Sequence, residues 1–511
     1  MARSGHSFSH SMRVCALGLL SWLGPAFAQS PPPPDGLAVL EQGLRPNVLP
    51  ADAPLPRWSL DERMRHHKVP GVAIALVRNG RVVQARGYGV RTAGGNEMVD
   101  ADTLFSVGSV SKVVTAATTL RLVDAGRLQL DRDVNDDLRR WRVPDVAGRE
   151  GSISLRMLMS HTSGLNVHGF ADYLPVEPVP TLMQVLEGKP PAKNEPVTRR
   201  FPSGDRNDYS GGAVTVEQLV IEDVAGQSLA RVADAQVMTP LGMRRSTFEN
   251  PLPASGGNIA HAHDETGAPA ALPRGWETFA EAGASGFWTS ANDLGAFVGA
   301  LIRSYQGKDD FLAQPTAVQM LTPVARSWFG LGPRLDGEGV SRTFHHGGAN
   351  DSYRAWIEGY PETGDGFVIL TNGANGDVLA REIRNALTDA LGHGDNALLR
   401  TLADAPPPID LAGRYVLDGD VPMEVRGALA DLLEGENFDV LVDSSGVQLR
   451  LPESASPSML QPLAPGRYTT GSGTLRFLFH RSPQGQVVSV SVLHPASDSR
   501  AYYRRVRTMK N

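Results

Sequence analysis

Val69-Pro70-Gly71 opens an unbroken apolar run from Val72 to Val77, which ends at Asn79-Gly80 and is followed by Val82-Val83. An apolar run closed by Asn-Gly predicts a buried strand feeding a tight hairpin, because both turn positions favour residues that tolerate positive φ. A sheet begins here. From Ser109 the period changes. Val110, Val113, Val114, Ala116, Ala117, Leu120, Leu122 and Val123 recur at helical spacing as far as Ala125-Gly126, which predicts a long, mostly buried helix with a stop at the glycine. Pro190 to Pro202 is rich in Pro and scattered charges and reads as an excursion or surface loop, whereas Val214 to Ala225 returns to helical periodicity. The middle of the chain is therefore a helix-bearing lobe.

Beyond Phe344 comes a glycine-rich turn, then Trp356 to Gly359 and Phe367 to Asn372, two strands joined through Thr363-Gly364-Asp365-Gly366. They are expected to complete the sheet that Val72 begins. After Ala405-Pro406-Pro407-Pro408 the pattern becomes period-two. Phe438 to Val442, Gly446 to Leu451, Thr474 to Phe479 and Val487 to Leu493 are short alternating segments bounded by Gly, Pro, Ser and Asp, so the tail reads as an all-β domain, a small barrel or sandwich.

With 511 residues the chain is long enough for about three domains at roughly 150 residues each. At its start, Arg13 precedes an apolar run from Val14 to Leu23, and Ala26-Phe27-Ala28 forms a small-x-small cleavage pattern. This predicts an export signal at 1–28, cut after Ala28, and a secreted or periplasmic product with no stable membrane insertion, since the run is too short to span a bilayer. The expected plan is then a linker at 29–56, a catalytic-size domain at 57–400, a second linker at 401–410 and a β domain at 411–511. The fold class is α+β.

Composition removes several functions. The net charge is −6, so there is no basic footprint for nucleic acid. Cys15 is the one cysteine and lies within the signal, which rules out disulfide, zinc-cluster and CxxC chemistry. His261-Ala262-His263-Asp264-Glu265 places two histidines beside carboxylates, yet further ligands at useful spacing and an HExxH are both lacking, and no metal or cofactor is expected. No G-x-S-x-G occurs, which removes the main support for an α/β-hydrolase.

Ser109-x-x-Lys112 sits at the start of the apolar helix, where a three-residue separation puts both side chains on one face, about 5–6 Å apart at Cβ. An amine there can accept the hydroxyl proton as the oxygen attacks an acyl carbon. The chain has 6 lysines among 49 basic residues, and only Lys112 has Ser at that offset. A lysine in an apolar helix of an arginine-rich chain suggests a task that a guanidinium, which does not deprotonate, cannot perform.

Phe105-Ser106-Val107-Gly108-Ser109-Val110-Ser111-Lys112, Ser160-His161-Thr162-Ser163-Gly164-Leu165, Pro240-Leu241-Gly242-Met243 and His346-Gly347-Gly348-Ala349-Asn350 together resemble the serine beta-lactamase-like family. That family contains class C beta-lactamases, D-alanyl-D-alanine carboxypeptidases, D-aminopeptidases and related esterases. The resemblance covers Val69 to Asn372, and Leu411-Ala412-Gly413-Arg414-Tyr415 opens a tail similar to the lipocalin-like domain appended to such hydrolases. It implies an antiparallel sheet flanked by helices, with a helical lobe, followed by a small barrel-like domain.

The resemblance also implies roles. Ser109 corresponds to the acyl-forming nucleophile, Lys112 to its proton acceptor, and Tyr209 to the tyrosine of a Tyr-x-Asn element that exchanges protons with the nucleophile and leaving group. The asparagine position of that element is Gly211, expected at the substrate site without its amide. His346 stands where beta-lactamases carry lysine, assisting Tyr209 and Lys112. Gly347 and Gly348 let substrate lie along a strand edge, while Ala349 and Ser109 N–H groups form an oxyanion hole. Ser352 replaces a glycine before the aromatic Tyr353. His345, on the opposite face, is expected to be structural. The implied activity is that of an esterase or D-amino-acid amidase or peptidase acting on a small-molecule ester, amide or peptide. The alternative is a non-hydrolysing penicillin- or peptide-binding protein, or a weak beta-lactamase. Oligomeric state is not legible.

Overall fold

The computed structural model describes residues 36–511, apart from 175, 326, 394–397, 403–407, 420–432, 434–435, 453, 455, 495–498 and 507–511. The expected export signal at 1–28 lies outside the described residues.

Strand β1 (Val48–Pro50) precedes the hairpin of β2 (Gly71–Arg78) and β3 (Arg81–Gly89), and β4 (Phe105–Ser106) pairs with β5 (Trp288–Thr289). Next come β6 (Arg334–Asp336), β7 (Thr343–Ala349), β8 (Arg354–Tyr360) and β9 (Asp365–Thr371). The central sheet has the order β3-β2-β9-β8-β7-β6, and every pairing in it is antiparallel. Along β2, Val72, Ile74 and Leu76 join the cluster that holds Leu379, Ile383 and Leu387 of the C-terminal helix Gly376–Leu391. Ala73, Ala75 and Val77 join the opposite cluster, with Leu294, Phe297 and Val298 of the helix Ala291–Tyr305. Helices cover both faces, so the strand is apolar throughout rather than alternating.

The helix Ser111–Asp124 belongs to the second cluster, with Val113, Val114, Ala116, Ala117 and Leu120 fully buried. Each large apolar side chain buried there contributes about 1.5–3 kcal/mol, which fixes the helix that carries Lys112. Ser109 lies just before it, in a single 3-10 turn at Gly108–Val110.

β10 (Leu399–Thr401) pairs in parallel with β1. The tail is a closed barrel of β11 (Gly413–Leu417), β12 (Asn437–Asp443), β13 (Gly446–Arg450), β14 (Ser458–Ala464), β15 (Arg467–Thr470), β16 (Arg476–Arg481), β17 (Val487–His494) and β18 (Ser499–Val506), shut by pairing of β11 with β18. It has its own core, including Tyr415, Phe438, Phe477, Val490 and Tyr503.

Three expectations change. The glycines after Phe344 lie on strand β7 rather than in a turn. Residues of the expected 29–56 linker pack onto the lobe built on the central sheet from Gly36, with Leu37, Val39, Leu40 and Leu44 buried beside the C-terminal helix. The segment from Pro190 to Pro202 is not wholly at the surface: Val197 and Arg199 are buried and Arg199 bridges to Leu165.

Candidate active site

Two glycines bring the turn that carries Ser109 against β7. Gly108 has φ +47, and a Cβ there would fall 2.7 Å from the Ala349 nitrogen. A Cβ on Gly348 would fall 1.9 Å from the Val107 carbonyl oxygen and 3.2 Å from the Ser109 nitrogen. Any side chain at either position would push the two segments apart. Their contact sets the Ser109 backbone nitrogen beside the last residues of β7.

Lys112 Nζ donates to Ser109 Oγ at 3.0 Å and to the Ala284 carbonyl at 2.8 Å. That carbonyl belongs to a short helical turn, Ala282–Ser285. Thr115 Oγ1 donates to the Gly283 carbonyl at 2.8 Å, and Gln218 Oε1 accepts from Gly283 N–H at 2.9 Å. The residue before the carbonyl that faces Lys112 is thus clamped from two helices. Just before the turn, Glu281 is buried and accepts from Ser285 Oγ at 2.9 Å, and burial pushes its carboxyl up to about 7.

The Tyr209 ring centroid lies 5.1 Å from Lys112 Nζ. Around it stand His161 at 4.4 Å, His168 at 5.0 Å, Phe329 at 5.9 Å and His346 at 6.3 Å between ring centroids. The Arg334 guanidinium rests 5.6 Å from the Tyr209 ring and 4.6 Å from that of Phe329. His161 Nδ1 accepts from the Ser210 N–H at 3.2 Å, which ties the segment after Ser160 to the residue following Tyr209.

His346 Nδ1 lies 2.7 Å from the Gly347 carbonyl oxygen. A carbonyl only accepts, so Nδ1 carries the proton and the buried, unpartnered Nε2 is left as an acceptor. Burial, then the charges of Arg334 and Lys112, hold this imidazole well below its ordinary range, so it is neutral at pH 7. His345 points to the opposite face, where Nε2 meets Asp336 Oδ2 at 2.8 Å and the ring stacks on Trp356 at 5.1 Å.

Ser109, Tyr209, His346, Gly347, Gly348 and Ala349 share one cleft of about 1040 Å³. β6 covers only Thr343 to His345 of β7, so the β7 edge from His346 onward stays open on that side. Gly211 is not among the residues lining the cleft: it is buried, and a Cβ on it would fall 2.8 Å from the Phe170 ring. An amide side chain in its place would have to displace that ring. His263 uses both nitrogens within the fold, Nδ1 on the Asn372 carbonyl at 2.8 Å and Nε2 accepting from Ala93 N–H at 2.9 Å. His263 thereby serves the fold.

Sequence reasoning did not single out His161, His168, Phe329 or Arg334 as site residues. They lie far apart along the chain and converge only in the fold. His161 alone had a signal, inside Ser160-His161-Thr162-Ser163-Gly164.

A family model described as Beta-lactamase matches residues 59–391. Esterase EstB of Burkholderia gladioli is 29% identical over 205 residues, 38% of this chain and 50% of EstB. Protein flp of Staphylococcus aureus strain MW2 is 21% identical over 350 residues, 65% of this chain and 66% of flp. Penicillin-binding protein 4 of Amycolatopsis lactamdurans is 40% identical over 103 residues, 20% of this chain and 26% of that protein. The chain thus spans half the length of EstB and less of the penicillin-binding protein. Among solved structures, SurE with D-Leu aligns with TM-score 0.54 at 22% identity, covering 88% of this chain and 97% of SurE. The octameric penicillin-binding protein homologue from Pyrococcus abyssi aligns with TM-score 0.56 at 20% identity, covering 87% and 98%. At these identities both show the fold alone.

Proposed function

Since the chain belongs to the beta-lactamase family, we propose that it is a serine hydrolase working through an acyl-enzyme on Ser109, with an ester or a D-amino-acid amide or peptide as substrate. The observation that carries this reading is the 3.0 Å contact between Lys112 Nζ and Ser109 Oγ at the cleft where Tyr209, His346 and the open β7 edge meet.

In this reading Lys112, unprotonated in the reactive form, takes the Ser109 proton as Oγ bonds to the acyl carbon. The negative oxygen of the tetrahedral adduct is received by the Ser109 and Ala349 N–H groups. The C–O or C–N bond then breaks, and Tyr209 delivers a proton to the departing group, with Lys112 replenishing Tyr209. Water repeats the sequence in reverse on the ester of Ser109. His346 supplies a neutral acceptor facing the tyrosine, with its tautomer fixed by the Gly347 carbonyl.

Two features favour esters and D-amino-acid amides over beta-lactams. His346 is a neutral imidazole where beta-lactamases carry a lysine, and Gly211 lies under Phe170, where no amide can reach an acyl-side carbonyl. EstB, an esterase by name, supports the same direction. A panel of p-nitrophenyl esters, D-aminoacyl anilides and nitrocefin tests the assignment: turnover of an ester or anilide with a Ser109 adduct is expected. Stoichiometric penicillin labelling without turnover of any of them would instead make the chain a penicillin-binding protein.

A further inference from the structure

We propose that the barrel completes the active-site cleft with a subsite for a carboxylate centred on Arg476, so that the substrate is an ester or amide bearing an anionic group away from the scissile bond. The proposal rests on the acyl-enzyme reading above and narrows its substrate class.

The cleft that contains Ser109 is also lined by Ser472, Gly473 and Thr474, the turn between β15 and β16, and by Arg476 at the start of β16. This part of the barrel is fixed against the catalytic lobe. Asn47 Nδ2 donates to the Ser472 carbonyl at 2.5 Å, and Leu402 N–H donates to the Pro462 carbonyl at 2.8 Å. A Cβ on Gly473 would meet Leu399 at 3.3 Å and Asn47 at 3.4 Å, which shows how closely the turn seats on β10 and the residue before β1. Asn385 Nδ2 donates to the Arg45 carbonyl at 2.9 Å, bracing the segment that holds Asn47. Arg476 therefore faces the cleft from a defined position.

Of the other arginines that line the cleft, Arg334 rests against the Tyr209 and Phe329 rings, and three are committed to hydrogen bonds. Arg384 Nε bonds the buried Glu358 at 2.5 Å, Arg381 bonds Asp377 at 3.1 Å, and Arg354 Nη1 donates to the Tyr353 carbonyl at 2.8 Å. The acids on the wall are committed too: Asp377 to Arg381, and Asp336 to His345 at 2.8 Å. Arg476 differs. Its Nε is buried without a hydrogen-bond partner, and among the described residues no carboxylate pairs with its guanidinium. A buried donor left unmade is costly, and a planar guanidinium fork matches a carboxylate in bidentate geometry. The anion that satisfies Arg476 is thus expected to arrive with the substrate.

The test uses the full-length protein and matched p-nitrophenyl esters. In one pair the acyl chain ends in a carboxylate or its methyl ester. In the other the aryl leaving group carries a carboxylate or its methyl ester. The wild type is expected to favour the carboxylate member of at least one pair by about tenfold or more in kcat/KM. Arg476→Gln is expected to bring that ratio close to one through KM, and Arg476→Lys to retain part of it. Because each ratio is taken within one protein preparation, a partly unfolded variant does not mimic the effect. Absence of any preference in the wild type, or its survival in Arg476→Gln, would overturn the subsite while leaving the hydrolase reading intact. Failure of both ester turnover and phosphonate labelling at Ser109 would overturn that reading, and the subsite with it.

Discussion

Lys112 Nζ is held between Ser109 Oγ at 3.0 Å and the Ala284 carbonyl at 2.8 Å, with no carboxylate paired to it among the described residues. A hydroxyl and a backbone carbonyl orient the amine. Replacing Lys112 by Arg keeps a cation but removes the ability to accept a proton at working pH. Lys112→Arg is therefore expected to lose nearly as much acylation rate as Lys112→Ala, measured by ester burst kinetics. Retention of most of the rate in the Arg variant would reduce Lys112 to an electrostatic role.

The contact between Gly348 and Val107 gives a second expectation. A methyl at 348 would sit 1.9 Å from the Val107 carbonyl, so Gly348→Ala must separate β7 from the turn bearing Ser109. Losing alignment of an oxyanion donor costs about 10²–10³ in rate in comparable sites. Phosphonate labelling of Ser109 in the variant should slow by that order while the thermal transition persists. Unchanged labelling would show that Ala349 does not serve the oxyanion.

Stability should depend on pH through Glu217, which is fully buried with Thr119 Oγ1 donating to it at 2.6 Å. Burial pushes its carboxyl from 4.5 up to about 8. Between those pH values the folded state holds a proton that the unfolded chain has released, so this group makes stability fall as pH rises. Glu217→Gln stays neutral throughout. Its Tm relative to wild type should rise steadily from pH 4.5 to pH 8, and a constant difference across that range would contradict the assignment.

The barrel has a hydrophobic core of its own, distinct from the two that sandwich the central sheet. Truncation near Pro406 is expected to leave a soluble lobe that still labels at Ser109 and accepts bulkier esters, but has lost the carboxylate preference. Insolubility, or complete loss of labelling, would mean that the lobe's core or its reacting groups depend on the barrel.

Local chemistry made part of this molecule readable. Asn79-Gly80 announced the first hairpin, apolar runs announced β2 and β9, and apolar residues at helical spacing announced the helix that carries Lys112. The glycines at 347 and 348 misled because the signal of a turn and that of a strand built for close backbone approach are the same in sequence. In the barrel, β11, β14, β15 and β18 escaped notice. β14 contains Pro462 with a shift of register beside it, and β18 sets Arg504 and Arg505 among its apolar positions. Gly211 was expected at the substrate site from its neighbour Tyr209, yet the Phe170 ring covers it, a contact no spacing rule foretells. Arg334 and Arg476 come from different strands and meet the cleft only through tertiary packing.

The central claim is that Ser109 becomes covalently acylated, and intact-protein mass spectrometry after exposure to a fluorophosphonate tests it most directly. One adduct is expected, mapped to the peptide containing Ser109, absent from Ser109→Ala and slowed by a competing ester. An adduct that persists in the folded Ser109→Ala variant, or none on the wild type while it hydrolyses p-nitrophenyl esters, would contradict the account.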